Sequence, residues 1–355
     1  MTVTAETEAA AYYQDLSRLG AQATAVVLRL WRRVDRGDIA GSWSRLLPEV
    51  VAAVVGAQTV AAEATDPYLT GLAGAGAAVN VEAFAGATQS GGDLAGVFFL
   101  PTIDARAAIG RGVQVGTALR DVQSSLAMYA QTMTLDAGRD AAQVGMVARP
   151  HVRGYYRMLQ PPSCARCAIL AGKFFKWNTG FQRHPRCDCV HIPVAEADDS
   201  LLFDARKAIA AGKVTGLSRA DREAILEHGA DPSQVVNARR GMYSDSAGRR
   251  FTTEGTTRRG VAGARILARD LERLLGNNTR GRTFTNFGFS RQKAAEYAEL
   301  FRRGKTFQRI TAGGRVQAYS YRFARSGRPT PGQILADATS REEVIRLLTN
   351  FGYIL

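Results

Sequence analysis

All four cysteines of this 355-residue chain lie in one stretch, CARCAILAGKFFKWNTGFQRHPRCDCVH, which also holds two of its four histidines. Cys164 and Cys167 form a C-x-x-C pair, and after nineteen intervening residues Cys187 and Cys189 form a C-x-C pair. Two close pairs of thiols separated by a short excursion are typical of a chain that surrounds one tetrahedral Zn²⁺, since thiolates suit that ion. The spacing therefore predicts a structural zinc site in a small unit with little core of its own.

The predicted zinc ligands are Cys164, Cys167, Cys187 and, as the fourth, either Cys189 or His184. Three alternatives remain open on spacing alone. The cysteines of one pair could form disulfides with those of the other, or all four could be reduced and partly buried without a metal. One of them could instead be a nucleophile that His184 or His191 activates.

The spacing of apolar residues predicts a helical N-terminal domain over residues 1–150. Its first helix is expected over 7–35 and its second over 42–65, where Pro67 in the sequence TDPY is expected to end it. Further helices are expected over 68–99, around the loop TQSGGD, and over 101–149. Such a domain would form a bundle, or arms that pack on partner subunits.

Alternating and β-branched segments begin after residue 150. The sequences HVRGYYRML, KFFKW and CVHIP predict three short strands in a Cys/His-rich α+β unit at 151–200. A helical connector is expected at 201–238, with Ser218 as an N-cap.

The remainder, 239–355, is predicted to be a basic C-terminal region of mixed structure. Helices are expected at 262–275 and 290–303, and a capping box at Ser340 and Glu343 predicts a last one. The predicted fold class is therefore α+β, with a helical N-terminal half, a small zinc-stapled central unit and a basic, mixed C-terminal region.

The N-terminal sequence MTVTAETEAAAYY lacks the basic segment and apolar run of a signal peptide. The most apolar helix candidate, 46–64, contains Glu49, Gln58 and Glu63. Its uninterrupted apolar run is far shorter than the roughly 20 residues that a membrane span needs. We therefore expect a buried helix and no membrane association.

Positive charge is concentrated in one segment. Residues 239–328 contain 21 Lys and Arg against 6 Asp and Glu, a net charge of +15, whereas the whole chain carries +14. Arginine pairs recur there in flexible Gly- and Thr-rich sequence: Arg239 and Arg240, Arg249 and Arg250, Arg258 and Arg259. This pattern suits contact with phosphate backbones without base recognition. Contact with acidic patches on a protein partner, or a solvated basic face, would explain it as well.

The sequence PPSCARCAILAGKFFKWNTGFQRHPRCDCVHIPV resembles the signature of phage Mu F-like minor head proteins, in which C-x-x-C is followed by H-P-x-C-x-C. The closer similarity is to head proteins of actinobacterial siphophages. In that group RHPRCDCVHIPV, TTEGTTRRG and an ending like REEVIRLLTNFGYIL occur together. The matching motifs span roughly 150–355.

This resemblance implies a low-copy protein of the virion head that is made beside the portal protein and acts in head morphogenesis in the host cytoplasm. The implied partners are the portal protein, the capsid or scaffold protein and, non-specifically, packaged DNA. Members of the group are often labelled capsid maturation proteases. A protease that cleaves scaffold or capsid protein is therefore the second hypothesis, after the role in head assembly. The sequence lacks G-x-S-x-G and H-E-x-x-H, so the first dyad to consider would pair Cys187 or Cys189 with His184 or His191. A zinc-containing nucleic-acid-binding regulator is the third hypothesis.

Overall fold

The computed structural model describes the chain at residues 4–89, 91–178, 187–196, 201, 203–238, 242–244, 250–252, 291–303, 334–335 and 338–354. These residues combine helices with small sheets, so the mixed α and β fold class is confirmed. They divide into two compact units. The first draws on residues 1–158, 174–199 and 286–355, and the second on 159–173 and 200–285.

Three long helices form the core of the first unit: α1 (Ala5–Trp31), α2 (Ile39–Glu63) and α6 (Gln123–Val147). The predicted first and second helices are thus confirmed. Side chains of Thr4 and Asp38 accept backbone N–H groups at the starts of α1 and α2, as N-caps do. Rings of Trp31 and Trp43 meet edge to face at 4.8 Å where α1 and α2 pack together.

The expectation that Pro67 ends the second helix is wrong. The α2 helix ends at Glu63, and Pro67 lies in the first turn of a further helix, α3 (Thr65–Ala73). Proline is tolerated there because the first N–H groups of a helix have no intrahelical acceptor.

The helix expected over 68–99 is confirmed only at its two ends. Irregular backbone and a 3₁₀ turn, Val81–Phe84, separate α3 from α4 (Leu94–Gly110). The side chain of Asp93 caps α4 by accepting the N–H groups of Ala95 and Gly96. The segment from 101 to 149 is helical as predicted, as the end of α4, the short α5 (Val115–Asp121) and α6.

One helical stretch, Ile39–Ala73, is long and apolar enough to cross a membrane by length and composition alone, and 67% of its most apolar window is buried within the structure. Leu47, Val50 and Val54 are fully buried there. The prediction of a buried helix at 46–64 is therefore confirmed.

Each of the three predicted strands is present. A sheet of order β3-β1-β4 contains β1 (Gly154–Leu159), β3 (Phe174–Lys176) and β4 (Cys189–Val194). The β1 and β3 strands are antiparallel, with Tyr155 opposite Phe175. The α1, α3 and α6 helices all pack on β4, which fixes the strand that carries Cys189 against the helical core.

Two C-terminal helices complete the first unit. The helix Arg291–Arg302, expected at 290–303, packs along α2, where Arg302 makes two hydrogen bonds of 2.7 Å with the carboxylate of Glu63. In the helix Arg341–Asn350, Ser340 accepts the N–H of Glu343 at 3.2 Å, which is one half of the predicted capping box; the Glu343 carboxylate accepts the N–H of Thr339 at 3.0 Å instead of that of Ser340. Apolar residues of this last helix join α6 in a buried cluster that includes Val144, Val344 and Leu348.

The second unit is built from short elements. Strands β2 (Ser163–Cys164) and β5 (Val214–Thr215) are parallel, and β6 (Met242–Ser244) and β7 (Arg250–Thr252) form an antiparallel pair. Its helices are α7 (Ala165–Ala168), α8 (Ala205–Ala210), α9 (Arg219–Leu226) and α10 (Pro232–Ala238). Ser218 caps α9 in a complete capping box with Asp221, which confirms the predicted N-cap. The helix predicted at 262–275 lies outside the described residues.

Candidate metal centre

The C-x-C pair lies at the start of β4 and is buried. Every residue from 187 to 193 is buried, so this strand lacks the alternation of a strand with one face in water. Cys187 is 2% exposed and Cys189 is fully buried. A thiol in this position is protected from solvent and from large molecules.

Each cysteine pair has a defined local geometry. The Sγ atoms of Cys187 and Cys189 are 3.0 Å apart. In the C-x-x-C pair, Cys164 is the N-cap of α7, and its Sγ accepts the N–H of Cys167 at 3.4 Å. None of the four cysteines forms a disulfide in the structure.

Two side chains of the first unit are close enough to share one metal ion. The Sγ atom of Cys187 and a carboxylate oxygen of Asp188 lie within 4.8 Å of each other, and both residues are buried. Zn²⁺ binds sulfur at about 2.3 Å and carboxylate oxygen at about 2.0–2.2 Å, so donors at this spacing fit one ion. The Sγ of Cys189 is a further thiol beside them, because it lies 3.0 Å from that of Cys187.

Asp188 was not among the ligands predicted from the sequence. It lies between the two cysteines of the C-x-C pair, and its burial at 8% exposed is unusual for an aspartate. Its place between two cysteines in the sequence could have indicated a ligand, because a carboxylate is an ordinary zinc ligand.

A buried arginine of α6 holds the backbone of the C-x-C pair. The guanidinium of Arg139 donates from Nε to the carbonyl of Cys189 at 2.9 Å and from Nη2 to the carbonyl of Cys187 at 2.5 Å. Its Nη1 donates to Asp136 at 3.2 Å, within an ion pair in which the arginine side chain is 2% exposed. One side chain thus holds the carbonyl groups of both cysteines of the C-x-C pair.

A second buried arginine contacts sulfur directly. Arg157, in β1, is 1% exposed, and its Nη2 donates to the Sγ of Cys187 at 3.3 Å. Guanidinium groups are costly to bury unless a negative charge accompanies them. Two of them beside the buried thiols of Cys187 and Cys189 favour a state in which these sulfurs carry negative charge, as thiolates on a metal do.

Burial has opposite effects on the two kinds of group. It raises the pKa of the Cys189 thiol, and contact with Cys187 adds to this, although Arg139 and Arg157 act in the other direction. Burial by itself lowers the pKa of Arg139, but the charges of Cys189, Asp136 and Cys187 outweigh it and raise that pKa.

Of the two histidines near the cysteines, the structure describes His191 but not His184. His191 is 2% exposed in β4, its ring meets Tyr155 edge to face at 4.7 Å, and its carbonyl accepts the hydroxyl of Tyr68. His184 lies outside the described residues, so its proposed role as the fourth ligand remains a prediction. His151 and His228 are exposed.

Most of the predicted nucleic-acid contacts also lie outside the described residues. These are Arg239, Arg240, Arg249, Arg258 and Arg259. Arg250 lies in β7, where it is paired with Ser244 of β6.

Comparison with known proteins gives no match: no family model, curated protein or solved structure is similar to this chain.

Proposed function

We propose that this chain is a phage minor head protein of the Mu F-like kind, which acts in head morphogenesis at the portal and capsid. Its partners in this proposal are the portal protein and the capsid or scaffold protein, first in the host cytoplasm and then in the virion head. The motifs C-x-x-C and H-P-x-C-x-C, with Cys164, Cys167, Cys187 and Cys189, support the family assignment. Contact with packaged DNA rests on the +15 segment of the sequence alone.

The observation that carries a structural role is the burial of the C-x-C pair beneath Arg139 and Arg157. We propose a structural zinc ion that is bound by thiolates of this region, with Asp188 or His184 as an additional candidate ligand. A structural zinc site contributes folding energy, because its ligands are brought together only in the folded chain. The small sheet that carries Cys189 is an element that such an ion would stabilise.

The same burial weighs against the protease hypothesis. A cysteine protease needs a thiolate that reaches a polypeptide substrate, and reactive cysteines are partly exposed with a lowered pKa. Cys189 is fully buried, and burial raises the pKa of its thiol. A thiolate that is bound to zinc would also be a poor nucleophile, because the metal holds its lone pair.

The metal is tested directly by elemental analysis. We expect the purified, reduced chain to contain about one zinc per molecule. Cys187→Ser should lose that zinc because it replaces a soft thiolate by a hydroxyl, whereas Ser163→Ala, a buried change without a thiol, should retain it. Absence of zinc from the parent chain, even after reconstitution under reducing conditions, contradicts the proposal.

The assembly role is tested by co-expression of this chain with portal, scaffold and capsid proteins. We expect the parent chain to be captured in portal-containing particles, with the masses of the scaffold and capsid chains unchanged. Cys187→Ala and Cys189→Ala should reduce soluble yield and capture together, since loss of a ligand acts through folding. Clean cleavage of scaffold or capsid by the parent chain, lost in a normally folded Cys→Ala variant, would establish the protease instead.

A further inference from the structure

The structure contains a buried charge arrangement that the cysteine motif does not include. Arg139 and Asp136 lie one turn apart on α6, and Arg139 binds the carbonyls of both Cys187 and Cys189. Asp136 is 7% exposed and Arg139 is 2% exposed, so the ion pair is almost completely shielded from solvent. An interaction of this kind is expensive to bury unless its geometry serves the fold or a site.

The position of the guanidinium determines what it can do. Its planar guanidinium binds the carbonyls of both Cys187 and Cys189, so it fixes the direction in which the C-x-C side chains leave the backbone. It also places a positive charge beside the two sulfurs. Residues that orient ligands from outside the coordination sphere are known to change metal affinity by about 10–100-fold.

We infer that Arg139 is the positioning residue of the metal centre, and that Asp136 holds Arg139 in place for this task. The inference rests on the proposed metal centre. It adds the residue that holds the C-x-C pair in a fixed geometry for metal binding. Arg157 complements it from β1, because its Nη2 reaches the Sγ of Cys187 itself.

The same region offers a matched control for arginine burial. Arg149, just after the end of α6, is 1% exposed and donates to the carbonyls of Gly74 at 2.8 Å and Gly145 at 2.9 Å. It binds backbone carbonyls as Arg139 does, but those of other segments. Loss of Arg149 should therefore destabilise the fold to a similar degree without altering the C-x-C geometry.

The experiment compares Arg139→Gln with Arg149→Gln in the full-length chain, using cobalt as the probe metal. Cobalt affinity is measured by competition with a chelator, and the thiolate-to-cobalt absorption band reports how many sulfurs are bound. We expect Arg139→Gln to weaken cobalt binding about 10–100-fold and to change the band. For Arg149→Gln we expect a normal band and an affinity within about threefold of the parent, since it acts only on the fold.

Each other outcome has a defined meaning. Equal affinities for the two variants, whether both normal or both weakened, overturn the positioning role while leaving the metal centre intact. A parent chain that binds no cobalt overturns the metal centre, and this inference with it. If Arg139→Gln does not fold, the Asp136→Asn variant is used instead, because it keeps the guanidinium of Arg139 but removes the carboxylate that holds it in place. A folded Asp136→Asn variant with parental cobalt affinity and absorption band overturns the inference. Weaker cobalt binding by that variant supports it.

Discussion

Replacement of Arg341 by alanine is expected to lower the free energy of unfolding by about 3 kcal/mol, because it removes charged donors from several carbonyls at the end of α6. The guanidinium donates to the carbonyls of Pro150 at 2.9 Å, Val152 at 2.8 Å and Arg149 at 2.5 Å. It also reaches the carbonyls of Met146 and Val147, each at 3.2 Å. The last carbonyls of a helix have no donor in a following turn, and this one side chain supplies charged donors to the end of α6 and to the residues just after it.

The effect should be local as well as global. Arg341 begins the helix Arg341–Asn350, so its loss should release that helix from α6 and speed hydrogen exchange of its amides. Denaturation by urea measures the first effect, and exchange measured by mass spectrometry detects the second. Arg346→Ala is the control on the same helix: its side chain is 65% exposed and pairs with Glu343 at 3.6 Å, which predicts a change of less than about 1 kcal/mol. Similar losses for both variants would contradict this account of Arg341.

The regular elements of the first unit could be predicted because their patterns are local. Apolar side chains at three- and four-residue steps predict α1, and Leu16, Leu19, Ala23 and Val26 are indeed buried. The predicted strand HVRGYYRML contains β1, whose residues Tyr155 and Tyr156 are both buried. Capping signals at Ser218 and Ser340 were equally informative, since a cap depends only on residues a few positions away.

The sequence was less informative about which arginines bind backbone carbonyls inside the fold. Counting charges draws attention to the +15 segment, whereas Arg139, Arg157 and Arg341 are single residues in unremarkable surroundings. What distinguishes them is long-range: Arg139 binds carbonyls 48 and 50 residues away, and Arg341 binds carbonyls of residues up to 195 positions earlier. The one local signal is that Arg139 lies among small residues, Ala137, Gly138 and Ala141, in a part of α6 without an exposed face.

Arginine has the same physical role in three places near the end of α6. Arg139, Arg149 and Arg341 each direct a guanidinium at backbone carbonyls rather than at solvent. A planar group with five donors is suited to this, because it can satisfy several carbonyls from one position. The C-x-C pair, the α3 end and the C-terminal helix are therefore all attached to α6 by the same kind of contact, within the first unit.

Substitution of Gly56 by alanine is expected to destabilise the fold by about 3 kcal/mol, because overpacking of this size forces the backbone to move. A Cβ at Gly56 would lie 2.7 Å from the carbonyl oxygen of Ala294, the amide nitrogen of Ala298 and the Cβ of Tyr297. Two of these are backbone atoms, which no change of rotamer can displace. The helix Arg291–Arg302 would have to shift away from α2, which would disturb the burial of Tyr297 and the hydrogen bond from its hydroxyl to Glu49 at 3.0 Å.

Gly71 in α3 provides the opposite case with the same substitution. A Cβ there would meet no atom within 4 Å, so Gly71→Ala should be neutral or stabilising by up to about 1 kcal/mol through helix propensity and the unfolded state. The two variants are compared by urea denaturation, and hydrogen exchange over 291–303 shows whether the helix has separated from α2. The two substitutions are expected to change stability in opposite directions because the helix backbones are in contact at Gly56, whereas Gly71 has open space around it. If Gly56→Ala were as stable as Gly71→Ala, with normal exchange over 291–303, the close packing of this helix on α2 would be wrong.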